Sequence, residues 1–304
     1  MEIIFEPQAK LLWHGNRVKD WVSDGRTKPI LIEIAPSGNC NASCPWCFFK
    51  DQKVKQEINA NTMLRVLREI TAAGMKAINW SGGGEPTKHS HFKDFVKYAN
   101  VQKLQQGLFT NGFKIIPHQE MFEWIRVSLT NQGFKRIKKP HVPFGICVNQ
   151  IEKYTSQELR NMCIEARSFG ASYFQIRPAL IGDYKKQPNL RVPNYLKEYE
   201  NRNFKVHVTN YKYVESVKSK KYKYCYGYHF CPSIDWKGNL SVCLYLTYHK
   251  DYILGNLNKD TFGSIWKKIP KRKKVISKCQ NCCKNHEINK ILFNVKNIES
   301  VNFL

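Results

Sequence analysis

The chain has 304 residues, 42% of them hydrophobic and 13% aromatic, which is enough to bury the core of one large domain plus a smaller one and too apolar for a disordered polymer. Its 49 Lys and Arg against 24 Asp and Glu give a formal charge of +25, which suits an anionic ligand and equally suits a solvated surface. No apolar stretch reaches membrane-helix length, and the start, Met1-Glu2-Ile3-Ile4-Phe5-Glu6, lacks the basic-then-apolar run of a secretion signal; a cytoplasmic protein with no membrane partner is expected.

Strand-like and helix-like segments alternate through the first two thirds. Pro29 to Ile34 reads as a short buried strand. Asn61 to Ala73 follows as a helix, with Leu64, Leu67 and Ile70 on one face and Gly74 as its stop. A strand at Ala77 to Trp80 precedes a helix from His91 to Asn100, and a strand at Gly107 to Phe109 runs into the turn Thr110-Asn111-Gly112. Arg126 to Leu129 and Phe144 to Asn149 are the next strands. The basic, proline-bounded stretch from Thr130 to Pro143 predicts a short or missing helix between them. Thr155 and Glu158 form a capping box for a helix to Ser168, closed by Gly170, and Tyr173 to Arg177 is a sixth strand stopped by Pro178. Such alternation predicts parallel strands with right-handed crossovers. Six units are too few for a closed eight-stranded barrel, so the expected barrel is open and partial.

Beyond Tyr211 the character changes. Tyrosines interleave with lysines, then Ser233 to Trp236, a Lys237-Gly238 turn and Leu240 to Leu244 read as a hairpin, and Thr261 to Lys268 reads as a short helix. This tail is expected to be a separate module, too small to fold well without a bound metal or cluster.

Eleven cysteines in a reducing compartment point away from disulfides and toward metal. Cys147 and Cys163 stand alone and read as small buried hydrophobes. Cys40, Cys44 and Cys47 lie in the loop after the first strand. Three thiolates there can hold three irons of a four-iron cluster and leave the fourth for an amino-acid chelate. A zinc site lacking its fourth ligand is the competing reading. Directly after the second strand comes Gly82-Gly83-Gly84-Glu85-Pro86. Glycines there let backbone approach a ligand closely, and a carboxylate or carbonyl can accept from an ammonium group.

The CxxxCxxC spacing, with Asn41 after the first cysteine and Trp46 before the last, resembles the signature of the radical S-adenosylmethionine superfamily, and Gly83, Gly84, Glu85 and Pro86 resemble its Gly-Gly-Glu-Pro segment. The resemblance implies a [4Fe-4S] cluster on Cys40, Cys44 and Cys47, with S-adenosylmethionine contacted by Trp46 and by Gly83 to Pro86. It extends to Thr110 and Asn111, which resemble the family's Thr-Asn-Gly turn, and to Ser128 and Asn149 at the ends of the fourth and fifth strands. Glu33 on the first strand and Arg177 on the sixth are candidate substrate contacts; each of these polar residues is equally readable as a turn, cap or strand-end group.

Cys225, twelve residues, Gly238, four residues and Cys243 are followed by Gly255-Asn256-Leu257, Ile265-Trp266, Cys279 and Cys282. This order resembles the SPASM or twitch extension of that superfamily. It implies an auxiliary [4Fe-4S] cluster on Cys225, Cys243, Cys279 and Cys282, with Cys231 and Cys283 as alternates; a four-thiolate zinc site suits the same spacing. The implied organisation is an α/β fold: a lead-in over 1–28, a partial (β/α)6 TIM-like barrel over 29–211, and a small iron–sulfur module over 212–304.

The implied chemistry is reductive cleavage of S-adenosylmethionine to a 5′-deoxyadenosyl radical that abstracts a substrate hydrogen, with a low-potential donor such as flavodoxin or ferredoxin supplying the electron. The charge and compact tail favour a nucleoside or nucleotide substrate, and the chain as a whole resembles the queuine lyases, which act on queuosine or its 5′-phosphate. Peptide modification and dehydrogenation of a carbohydrate or alcohol are alternatives within the superfamily. A zinc-stabilised nucleic-acid binder, with bases stacking on Tyr211 to Tyr228, is the alternative outside it. The same aromatics can instead pack the tail onto the barrel, so no stable nucleic-acid partner is expected.

Overall fold

The computed structural model describes residues 7–52, 54–179, 190–214, 220–276, 279 and 283–299. Helices α1 (Pro7–Leu12) and α2 (Gly15–Asp24) lead into strand β1 (Leu31–Ile34). Then come α3 (Ala60–Ala72), β2 (Ala77–Trp80), α4 (Phe92–Val101), β3 (Gln105–Thr110), β4 (Trp124–Ser128), β5 (Phe144–Gln150), α5 (Ser156–Ser168), β6 (Tyr173–Pro178) and β7 (Lys205–Val208). The tail adds α6 (Asn210–Val214), β8 (Tyr224–Cys225), β9 (Ser233–Ile234), β10 (Asn239–Ser241), β11 (Ile253–Asn256), α7 (Phe262–Lys268), β12 (Lys273–Lys274) and α8 (His286–Asn297).

Strands β1 to β7 are successive parallel neighbours in one open sheet, ordered β11-β10-β9-β1-β2-β3-β4-β5-β6-β7. The two-residue strand period sorts its side chains. Register places Ile34, Trp80, Leu108, Ile125 and Phe144 in one row. All are buried with Met63, Val66, Leu67 and Ile70 of α3 and Phe95 and Val96 of α4. The i, i+3, i+4, i+7 spacing of those α3 residues explains the helix, and Asn59 caps it by accepting from Thr62 N at 3.1 Å. Glu33, Ser128, Cys147, Asn149, Gln175 and Arg177 alternate onto the opposite face, away from the helices.

The expected capping box is present: Thr155 N donates to Glu158 Oε2 at 2.7 Å and Glu158 N to Thr155 Oγ1 at 3.2 Å. Between β4 and β5 only a short 3-10 turn, Phe134–Arg136, stands where the sequence predicts a weak helix. The sheet gains a seventh parallel strand, β7, beyond the six expected.

The tail is not an island. Its hairpin β9–β10 joins the central sheet, with β9 parallel to β1 so that Glu33 faces Ser233. Ile234, Leu240, Leu257 and Phe262 belong to the same core as the strands. Helix α7 is tied to α3, where Phe262 N donates to Glu69 Oε2 at 2.6 Å and Arg65 donates to the Leu257 carbonyl. The lead-in also packs on the tail: Trp21 meets Tyr226 edge to face at 5.1 Å, above Leu292 of α8. No helix among the described residues is long and apolar enough to cross a membrane.

Candidate active site

The loop after β1 carries Cys40, Cys44 and Cys47, each partly exposed. Its course is set by main-chain bonds: Ile58 N to Pro36 O at 3.0 Å, Gly38 N to Gln56 O at 2.9 Å and Cys47 N to Cys44 O at 3.1 Å. Ala42 N approaches Cys40 Sγ at 3.4 Å, a donor suited to a thiolate.

The glycine loop after β2 lies directly against it. Gly84 N donates to Ser37 O at 2.9 Å and Glu85 N to Asn39 O at 2.8 Å. A Cβ on Gly84 would overlap the Asn39 carbonyl, so this approach of backbone to backbone requires glycine.

Of the two groups on Glu85 that could receive an ammonium ion, carboxylate and carbonyl, the carboxylate is engaged within the protein. Its carboxylate is 3% exposed and turned into the protein. It accepts from Thr110 Oγ1 at 2.6 Å, Thr87 Oγ1 at 2.8 Å, Thr87 N at 3.2 Å and Asn111 N at 2.7 Å. Burial pushes its carboxyl pKa up, and those hydrogen bonds pull it back. The side chains of Glu85 and Thr110 therefore bind one loop to the next. Asn111 reaches the cysteine loop: its Nδ2 donates to Asn41 Oδ1 at 2.8 Å and lies 3.9 Å from Cys40 Sγ. Trp46 is half-buried, edge-on to Tyr154 at 6.1 Å.

On the strand face opposite the helices, Asn149 and Arg177 pair in register, and Arg177 Nε donates to Asn149 Oδ1 at 2.9 Å. Burial opposes the Arg177 charge, and the nearby acidic groups of Cys147, Tyr245, Tyr211 and Glu33 outweigh it, raising its pKa. Ser128 lies beside Cys147 on the same face. Glu33 is engaged within the protein: it pairs with Lys284, which also donates to Ser233 Oγ at 3.0 Å. As a substrate contact Glu33 would act with Lys284, a residue the sequence reading missed because the two are 251 positions apart.

A cavity in the tail is lined by Cys225, Cys243, Cys279 and Cys283. Cys283, expected only as an alternate, takes a place in this set; Cys282 lies outside the described residues. Cys231 does not line the cavity; it is buried beside Lys284. Asn289 Nδ2 approaches Cys225 Sγ at 3.6 Å and Cys283 Sγ at 3.8 Å. Burial and the neighbouring Cys283 push the Cys225 thiol up to about 12. Among the described residues no three Cys, His, Asp or Glu side chains converge as the ligands of a single ion do. Amide donors lie near sulfurs of both cysteine sets, as suits thiolates that hold an iron–sulfur cluster.

Of the tyrosines that could stack bases, Tyr222, Tyr226 and Tyr228 are buried in the tail, and Tyr211, Tyr213 and Tyr224 are partly exposed. Cys147 and Cys163 are buried as expected.

Residues 34–135 match the model of the radical SAM superfamily, and residues 225–284 match that of SPASM, an iron–sulfur cluster-binding domain. The S-adenosylmethionine-dependent nucleotide dehydratase of Lacinutrix mariniflava is 29% identical over 132 residues, 38% of this chain and 28% of the relative. That of Flammeovirga pacifica is 28% identical over 141 residues, 39% of this chain and 48% of the relative. The mycofactocin maturase MftC of Mycolicibacterium smegmatis is 28% identical over 102 residues, 33% of this chain and 26% of the relative. The chain thus spans less than half the length of these curated relatives. Among solved structures, Streptococcus suis SuiB bound to its precursor peptide SuiA superposes with a TM-score of 0.62 at 16% identity, covering 89% of this chain and 72% of SuiB. The enzyme anSMEcpe with bound AdoMet and a peptide gives 0.56 at 16% identity, covering 86% of this chain and 88% of that one. These likenesses show the fold. The chain carries a radical SAM domain and a SPASM iron–sulfur cluster-binding domain, which imply a [4Fe-4S] cluster with S-adenosylmethionine and an auxiliary iron–sulfur cluster.

Proposed function

We propose that this chain is a radical enzyme acting on a nucleoside or nucleotide, with Cys40, Cys44 and Cys47 holding the cluster that binds S-adenosylmethionine. The observation that carries the reading is the main-chain contact between the loop of these cysteines and the Gly83–Pro86 loop, Gly84 N to Ser37 O and Glu85 N to Asn39 O. Held by Cys40, Cys44 and Cys47, the cluster would supply one electron for the reductive cleavage of S-adenosylmethionine.

The chain's own residues bind and orient. Backbone of the glycine loop receives the methionine ammonium, while Trp46, Asn111, Ser128 and Asn149 border the ligand. The Arg177 guanidinium, held through Nε by Asn149, leaves its terminal N–H groups for an anion such as a substrate phosphate. Glu33 and Lys284 form a second polar contact on the same strand face. These groups fix one substrate C–H bond near the radical and exclude water; none has to be a strong base.

Support for the substrate class comes from Arg177, from the net charge and from relatives named nucleotide dehydratases. Within that class queuosine and its 5′-phosphate are specific candidates, with release of queuine as the reaction. Cys225, Cys243, Cys279 and Cys283 or Cys282 would hold the auxiliary cluster, and a low-potential carrier such as a flavodoxin or ferredoxin would be the electron donor. The test is an anaerobic screen of nucleotides, queuosine, its phosphate and peptides with reduced protein, following methionine release. Turnover stimulated by a phosphorylated nucleoside supports the reading; stimulation by peptides alone refutes the substrate class.

A further inference from the structure

We infer that Trp236, carried by the tail, is a positioning residue for the S-adenosylmethionine site, because its indole is wedged against the glycine loop and the cysteine loop together. This rests on the radical-enzyme reading above.

The tail presents this side chain on a fixed turn. Asp235 is 2% exposed, and its Oδ1 accepts from Lys237 N and Asn239 N, both at 2.9 Å, while Oδ2 accepts from Asn239 Nδ2 at 3.0 Å. The turn closes with Gly238 N donating to Asp235 O at 2.9 Å. Pairing of β9 with β1, continued by Ala35 N to Ile234 O at 2.8 Å, lays the turn beside the start of the cysteine loop.

The indole is 3% exposed and spans two glycines. Its six-membered ring covers Gly83, where a Cβ would overlap Cζ3. Its pyrrole edge covers Gly38, two residues before Cys40, where a Cβ would stand 2.8 Å from Nε1. Phe49, two residues after Cys47, meets the indole edge to face at 6.0 Å. Phe49 in turn stacks on Tyr245, two residues after Cys243, at 6.0 Å and 7°. One aromatic chain thus links the glycine loop, the cysteine loop and the auxiliary cysteines. The Trp236 Nε1–H is buried and finds no acceptor among the described residues, so shape rather than a hydrogen bond holds the ring in place. Loops held at a fixed spacing bind a ligand laid across them more tightly than loops free to part.

The experiment uses the full chain with its clusters reconstituted. S-adenosylmethionine affinity is read from equilibrium dialysis and from the ligand-induced change in the electron paramagnetic resonance signal of the reduced protein. Trp236→Ala is expected to weaken binding about tenfold at unchanged iron content, and Trp236→Phe to recover affinity to within about threefold of wild type. Gly83→Ala pushes the ring away from the other side and repeats the loss; Gly83→Ala with Trp236→Ala binds better than Gly83→Ala alone, because the added methyl gains room. Wild-type affinity in a folded, iron-replete Trp236→Ala overturns the inference. So does a double variant that binds no better than Gly83→Ala alone, a comparison that does not need the affinity of Trp236→Ala by itself. A wild-type protein with no response to S-adenosylmethionine defeats the parent reading instead.

Discussion

The amide of Glu85 donates to the carbonyl of Asn39 at 2.8 Å, placing a residue of the glycine loop in register with the residue just before the first cysteine. The same glutamate grips the next loop through its carboxylate, so three strand ends are joined at one buried residue, by its amide and its side chain. S-adenosylmethionine would lie across backbone already held rigid.

Glu85→Ala leaves the hydroxyls of Thr110 and Thr87 and the amide of Asn111 buried without their acceptor. The expected cost is about 3 kcal/mol in urea unfolding, together with loss of S-adenosylmethionine binding. A variant as stable as wild type would show that the carboxylate does not bind the loops.

Cys225→Ala, Cys243→Ala and Cys279→Ala should each lower iron by about four atoms per chain, as should one of Cys283→Ala and Cys282→Ala, while Cys231→Ala keeps the full complement. Iron and sulfide analysis of anaerobically reconstituted protein makes the comparison. Loss of iron in the Cys231 variant would move the site toward Lys284 and Glu33.

Arg177→Ala should weaken binding of a phosphorylated nucleoside by about 10–100-fold and leave S-adenosylmethionine cleavage running without substrate turnover. Calorimetric titration of the nucleotide, with and without its phosphate, reads this. Equal losses for both ligands would remove the phosphate from the site.

His207 on β7 has its pKa lowered to about 4 by burial, with Arg126 and Lys197 adding to the shift. The unfolded chain takes up this proton first, near pH 6.5. Stability from the neutral ring is therefore present above that pH and lost as pH falls toward 4. The urea midpoint of wild type should fall between pH 7 and 5, and that of His207→Gln should fall less. Parallel profiles would show that His207 titrates normally.

Much of the fold was legible because the strands and helices of the first two thirds carry their own periodicity and caps, as with Met63 to Ile70 and the Thr155–Glu158 box. Short segments were not. The four residues of β7 have no flanking signal strong enough to mark them, and α1 and α2 are short, their apolar Leu11 and Trp21 explained by Tyr226, Phe230 and Leu292 far along the chain. The cysteine and glycine motifs were readable as local spacings. What the spacings could not show is where the side chains turn: Glu85 inward, Glu33 onto Lys284, Cys283 into the cavity and Cys231 out of it. The parallel pairing of β9 with β1 joins residues 200 positions apart and leaves no local trace, yet it places Trp236 beside the site.

The central claim is tested most directly by incubating anaerobically reconstituted, dithionite-reduced protein with S-adenosylmethionine and measuring 5′-deoxyadenosine. The wild-type chain should form it and Cys44→Ala should not. Equal product from both, or none from an iron-replete wild type, would contradict the assignment of these cysteines to a radical-generating site.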